Sequence, residues 1–289
     1  MSFRNAIRGL SVALLMPLAA AAQDARPQAM APAPAKAGNR QVEIAYEITY
    51  AGMAGFRIDV TARFAGDRYD VETSTYKNGV LKAVTMNYAG RNRAWGGFAG
   101  DGTPRPAGGS LALAIGDKTR TWAAQYGPDG SVQEAHVPEW KPLPTQVIPE
   151  RDRIGSLDPL SAALTAGLAG DAACDRTLPT NDGKRRVDVI LRSLRRESAA
   201  QSGIAGAQGD VLVCELSTRR VSGEFHDMAK ESEAERERPV RLWFARLDDS
   251  PFRYPARLEV DTGWGTARGR MLWFRERPLA AEEAQSLRR

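Results

Sequence analysis

Alternation of apolar and polar residues with a period of two runs from Gln41 to Phe64, and it constrains this chain more than any other feature. Val42, Ile44, Tyr46, Ile48 and Tyr50 take alternate positions, with Gln41, Glu43, Glu47 and Thr49 between them. Gly52 and Gly55 bracket a turn. Phe56, Ile58, Val60 and Phe64 then repeat the pattern against Arg57, Asp59, Thr61 and Arg63. Each run is a half-buried antiparallel strand. Slipping the register by one residue would expose the whole apolar set, so Val42, Ile44, Ile48, Phe56, Ile58 and Val60 are assigned to the inner face of a sheet.

Further strand signals extend this meander. Gly66-Asp67 turns the chain, Tyr69 and Val71 lead a third strand, and Asn78-Gly79 is a hairpin signal. Val80 to Tyr88 reads as a fourth strand and Arg91 to Phe98 as a fifth, followed by a Gly/Pro loop over residues 100–110. Leu111, Leu113 and Ile115, then Thr119 to Tyr126, are weakly strand-like. Gly127-Pro128-Asp129-Gly130 is a turn, and residues 138–155 form an irregular crossing marked by Pro138, Pro142, Pro144 and Pro149. One helix is clear, over residues 159–169. Asp158 is its N-cap, Pro159 its first residue and Gly170 its stop, and Leu160, Ala163, Leu164, Gly167 and Leu168 keep helical spacing. Strands resume at Arg185, then over Val211–Val221, Val240–Leu247, Ala256–Thr262 and Thr266–Phe274. Gly203–Gly209 reads as a loop, and residues 226–238 as a charged loop or short helix. About a dozen strands without a βαβ rhythm give a mainly β fold: a curved antiparallel sheet, an open barrel or spiral, with one helix docked on the concave face.

The chain ends add an address. Arg4 and Arg8, the apolar stretch Leu10 to Ala20, and Ala20-Ala21-Ala22 before Gln23 have the layout of a secretory signal peptide over residues 1–22. The apolar stretch is short for a span of about 20 residues, and no later segment is apolar enough, so an integral membrane protein is not expected. No Cys follows the cleavage site, which argues against a lipoprotein anchor there. Residues 23–40 form an Ala/Pro-rich disordered leader, 41–277 a single β-rich domain and 278–289 a polar tail with helical potential. The mature protein is expected to be soluble and periplasmic. Losing Arg4 and Arg8 lowers the formal charge from +5 to +3. That mild basicity suits anionic lipid headgroups or an ordinary solvated surface, and interleaved charges argue against nucleic acid.

Two cysteines occur, Cys174 and Cys214. In an oxidising compartment the simplest reading is a disulfide, which would constrain the unfolded chain by about 3–4 kcal/mol. A zinc site wants four close ligands, and a catalytic Cys is the third option. His136 and His226 stand outside any metal or triad pattern, and G-x-S-x-G is absent. Asn181 to Arg186 lacks phosphate-loop spacing and reads as a turn before a basic strand, with contact to an anionic partner as the alternative. Asp248-Asp249 reads as a hairpin loop rather than an acid–base pair. No catalytic residue, cofactor site or metal site is assigned. Trp95, Trp122, Trp140, Trp243, Trp264 and Trp273 are core or rim residues, or else the lining of an apolar cavity. The candidate lining set is Phe56, Ile58, Val60, Phe64, Leu160, Leu164, Leu168 and Trp243, because three leucines are a small plug for so large a sheet.

The run Gly155-Ser156-Leu157-Asp158-Pro159-Leu160-Ser161-Ala162, then Cys174-Asp175-Arg176-Thr177-Leu178-Pro179 and Asp182-Gly183-Lys184-Arg185-Arg186, with Cys214 and Gly223 beyond, resembles the domain of unknown function 3108 family of exported bacterial proteins. The resemblance covers residues 41–275, and Asn181 stands where that family tends to carry an aromatic residue. It implies no enzymatic residues. More loosely, a signal peptide with a curved sheet around a helix is similar to periplasmic carriers of the lipoprotein-localisation type, which shield acyl chains in an incomplete barrel, although fold does not fix function. The expectation is a non-enzymatic cell-envelope protein that binds a lipid or acyl chain, or a partner envelope protein. The alternatives are an interaction module using its strand edges without a cavity, and an unrecognised hydrolase.

Overall fold

The structure is a computed structural model, and it describes residues 38–83, 87–136, 147–223, 240–262 and 265–288. The signal peptide, most of the leader, the charged segment 226–238, His226, Trp140 and Trp264 lie outside the described residues. Thirteen strands form one antiparallel sheet in the order β7-β6-β5-β4-β3-β2-β1-β13-β12-β11-β10-β9-β8. The first arm is β1 (Arg40–Tyr50), β2 (Met53–Ala65), β3 (Arg68–Lys77), β4 (Tyr88–Phe98), β5 (Pro104–Ile115), β6 (Lys118–Tyr126) and β7 (Val132–His136). The second is β8 (Arg176–Asn181), β9 (Arg185–Ser198), β10 (Ala207–Gly223), β11 (Val240–Leu247), β12 (Arg253–Thr262) and β13 (Gly265–Pro278). The first and last strands pair at the centre, from Arg40 opposite Pro278 to Tyr50 opposite Ala267. Each arm is therefore a meander running outward from, or back to, that central pair.

The two edges, β7 and β8, are consecutive in the chain. The crossing between them carries helices α1 (Glu150–Arg153) and α2 (Pro159–Leu168). No strand ladder joins the edges, so the sheet is not closed into a barrel. Instead the crossing and a few side chains span the seam. The Gly155 N–H donates to Asp129 O (3.2 Å), Leu157 N–H to Pro179 O (2.7 Å) and Asn181 N–H to Leu157 O (2.8 Å). The Tyr126 hydroxyl donates to the Asn181 carbonyl across the gap (3.2 Å). Gly183 lies flat on Trp122, where a Cβ would come within 1.8 Å of the indole nitrogen.

Several boundaries differ from the sequence reading. The strand expected over Val80–Tyr88 is not formed at its start: Gly79–Ala83 is a 3₁₀ turn, and β4 begins at Tyr88. Gly79 has φ 52° and sits against Ala54, and no side chain would fit there. The Asn78-Gly79 signal thus diverts the chain into a helical turn rather than a tight hairpin. The loop expected over residues 100–110 is largely strand. Pro104 and Pro106 pair with β4, but pairing of β5 with β6 starts only at Gly108, so the prolines need no N–H on that side. The same logic hides β8, whose Pro179 lies on an edge strand paired with β9 alone. The loop expected at Gly203–Gly209 is shortened by β10, and Ala199–Ser202 forms a one-turn helix, α3, opened by a Ser198–Gln201 capping box. The tail forms the helix α4 (Ala281–Arg288).

Outward positions of the sheet carry ion pairs between strands. Arg63 and Arg93 both contact buried Asp70 (3.2 and 2.7 Å), Arg270 contacts Glu47 (2.8 Å), and Glu259 receives Arg257, Arg241 and Arg268. No described helix is long and apolar enough to cross a membrane.

Candidate functional site

Helix α2 organises the interior. The Asp158 carboxylate accepts the backbone N–H groups of Leu160 and Ser161 (2.9 Å each), and Pro159 occupies the first turn. Gly167 lets the helix rest on β12, since a Cβ there would lie 2.7 Å from the Arg253 carbonyl oxygen. The helix has two unlike sides. Ala162 and Ala166 join a dense cluster with Leu178, Leu191, Leu212, Leu242 and Phe244. The Cys174–Cys214 disulfide crosses this cluster, with Cα atoms 5.6 Å apart, within the range such a bond requires. On the other side, Leu160 and Leu164 are half-buried and Ala163 is exposed.

That second side faces a cavity of about 410 Å³. Its opposite wall is the inner face of β1–β5, which contributes Val42, Ile44, Ile58, Val60, Val71, Leu111 and Leu113. Phe252, Tyr254 and Leu258 close it from β12 and the turn before it. Six of the eight sequence-derived candidates line it: Ile58, Val60, Phe64, Leu160, Leu164 and Leu168. Phe56 does not. It pairs with Ile48 and packs at a tilt against Tyr88 with centroids 4.7 Å apart, one pair further along the sheet. Trp243 is also corrected. Its neighbour Leu242 lines the cavity, so strand alternation sends Trp243 to the other face. There it packs with Val211, Val213 and Ala245, donates to Glu197 (3.0 Å) and lies under Arg257. The other described tryptophans also leave the cavity unfilled. Trp122 packs with Ala124, Tyr126 and Val132, Trp95 against Gly108, and Trp273 is exposed.

A few polar groups interrupt the apolar lining. Tyr46, Thr73, Thr75 and Asn92 face in from β1, β3 and β4. Asn92 donates to Thr73 Oγ1 (3.2 Å). The Tyr46 hydroxyl makes no hydrogen bond to a described residue, and burial raises its pKa, so it stays protonated. Arg253 is fully buried but fully engaged, by Asp171 (2.6 Å), Asp210 (3.1 Å) and the Asp210 carbonyl (2.6 Å). Arg257 is held by Glu259.

A second group of buried polar residues lies at the seam; the sequence marks Asp158 as an N-cap, Trp122 as a core, rim or cavity residue and Asn181 as a departure from the family pattern, but does not bring them together. Asn181 Oδ1 accepts the Gly183 N–H (2.8 Å). Asn181 Nδ2, Trp122 Nε1 and Asp158 Oδ2 are buried without a hydrogen-bond partner among the described residues. Desolvation raises the Asp158 pKa. The Ser161 hydroxyl is 2.7 Å from that of Tyr69, and both residues are buried. These buried groups lie where the crossing bridges the two sheet edges. Elsewhere, Asp182 caps its turn and pairs with Arg185 (2.5 Å), while Arg186 pairs with Asp188 (2.7 Å) through Nη1, its buried Nε having no hydrogen-bond partner among the described residues. The Asp248-Asp249 pair occupies the β11–β12 turn, with Asp248 at φ 47°.

A family model described as "Protein of unknown function (DUF3108)" matches residues 41–271. No curated protein and no solved structure matches the chain.

Proposed function

We propose, from the premise that the chain belongs to the DUF3108 family of proteins of unknown function, that it is a non-enzymatic binding protein of the bacterial cell envelope. It holds one hydrophobic ligand, a lipid or acyl chain, in the cavity beneath α2. One observation carries this reading. The inner wall of β1–β5 and the Leu160/Leu164 side of α2 flank about 410 Å³ of mostly apolar, partly open space that neither fills. Apolar surface left without packing partners forfeits contacts, and large-to-small core changes show how costly such voids are. A cavity of this size falls within the usual range for small-molecule sites. The signal-peptide layout of residues 1–22 and the disulfide both agree with a periplasmic address.

The test is native mass spectrometry of the protein isolated from its own periplasm without detergent. The expected spectrum contains a species heavier than the bare chain, whose extra mass is released by organic extraction. A single unliganded mass, together with an extract free of lipid, would count against the proposal.

A further inference from the structure

The cavity's polar groups are of one kind, and this deepens the proposal above, on which it rests. Strand register places them. Tyr46 pairs with Ile58 and Ile58 with Thr75, so Tyr46 and Thr75 lie in one row across β1–β3, about 10 Å apart at the backbone for two strand spacings. Thr73 and Asn92 pair in the adjacent row. Gly90 completes the first row opposite Thr75, and because it has no side chain the Thr75 hydroxyl stays uncovered. Neither the Tyr46 nor the Thr75 hydroxyl has a protein hydrogen-bond partner among the described residues. All four groups are uncharged. The two arginines that border the space are held by Asp171, Asp210 and Glu259.

We infer that the cavity selects an acyl chain joined to an uncharged, hydrogen-bonding head, such as a glycerol ester or an amide, over a free fatty-acid anion. The chain lies along Ile58, Val60 and Leu164. The Tyr46 hydroxyl donates to the ester or amide carbonyl, and Thr75 with Asn92 meets the remaining polar atoms. An ionised carboxylate in the same place would be desolvated without a free cation to pair with, a costly arrangement. A neutral carbonyl given a donor carries no such penalty.

The experiment is displacement of Nile red, a neutral apolar dye, from the delipidated full-length mature protein at pH 8. The competitors are 1-monomyristoylglycerol, myristate and tetradecane, each below its aggregation threshold. The glycerol ester is expected to bind at least about tenfold more tightly than myristate. Tyr46→Phe should weaken the ester about fivefold, the loss of one hydrogen bond, and leave tetradecane unchanged. Thr75→Val, which suits a strand, gives a second reading should Tyr46→Phe unfold. Myristate binding as well as the ester, or ester affinity indifferent to both substitutions, overturns the selectivity while leaving a lipid site in place. Failure of all three competitors and of the dye itself overturns the lipid site too.

Discussion

The two arms of the sheet follow the same inward alternation yet enclose different interiors. On the β8–β11 side, Leu178, Leu191, Leu212, Cys214 and Phe244 are all buried, and α2 meets them with two alanines. On the β1–β5 side, Ile58, Val60, Leu111 and Leu113 also point inward but stay half-buried, because they face open space and the leucine side of the same helix. Small residues on α2 allow close approach and a dense core. Larger ones on its other side hold the helix away from the opposite wall. Alternation decides which face a residue joins. What stands opposite decides whether that face becomes core or cavity.

The largest effect should come from truncating the dense side. Leu191→Ala is expected to cost about 3 kcal/mol, whereas Leu113→Ala, already beside open space, should cost about 1 kcal/mol or less. Urea denaturation of both variants checks this, and equal losses would erase the distinction between the arms. Removing the cross-link that ties the dense side, by Cys174→Ala with Cys214→Ala, should cost about 2–4 kcal/mol. The same double change should leave affinity for an apolar dye within about twofold, since neither cysteine lines the cavity.

A pH series sharpens the comparison at the seam. Burial raises the folded-state pKa of Asp158. A carboxyl group shifted upward gives stability that is fully present below its unfolded pKa of about 3.9 and is lost as pH rises through the folded value. Asp158→Asn retains a good N-cap and has no charge to bury. The stability of the variant relative to the native chain should therefore improve as pH rises from the unfolded-state pKa through the raised folded-state value, and level off above it. A difference that is flat with pH would mean that Asp158 is not desolvated. The carboxylates of Asp171, Asp210 and Glu259 are shifted downward through their arginine partners. Their stabilisation is present above the ordinary carboxylate pKa and fades as pH falls through the lowered values. It is common to both proteins and cancels in the difference.

The smallest expected change in stability is at Gly90. A Cβ there would meet Leu113 and Thr75 at ordinary contact distances, 3.5 and 3.6 Å. Valine suits a strand, so Gly90→Val should move stability by no more than about 1 kcal/mol while projecting into the cavity.

Much of this was legible in the chain because period two is a local property. Residues 42–64 carry it openly, and the Asp158-Pro159 start marks α2 directly. Four features were hidden for physical reasons. Pro104, Pro106 and Pro179 look like strand breakers until it is known that each lacks a neighbour on one side, which depends on sheet order. Val80 and Leu81 continue an apolar run, but the positive φ of Gly79 redirects the backbone. Trp243 was placed in the cavity by its size, whereas its position next to Leu242 puts it on the opposite face. The buried groups around Asn181 come from β3, β6, β8 and the start of α2 with its N-cap, and only the folding of the crossing brings them together.

Titrating the delipidated protein with Nile red, beside Gly90→Val, decides whether the space beneath α2 is a binding site or a packing defect. Saturable, one-to-one fluorescence enhancement is expected with the native chain, and at least about a tenfold loss of affinity in the variant, with the melting temperature moved by no more than about 4 °C. Equal binding by both proteins, or no saturable binding by the native chain, would contradict the binding-site reading.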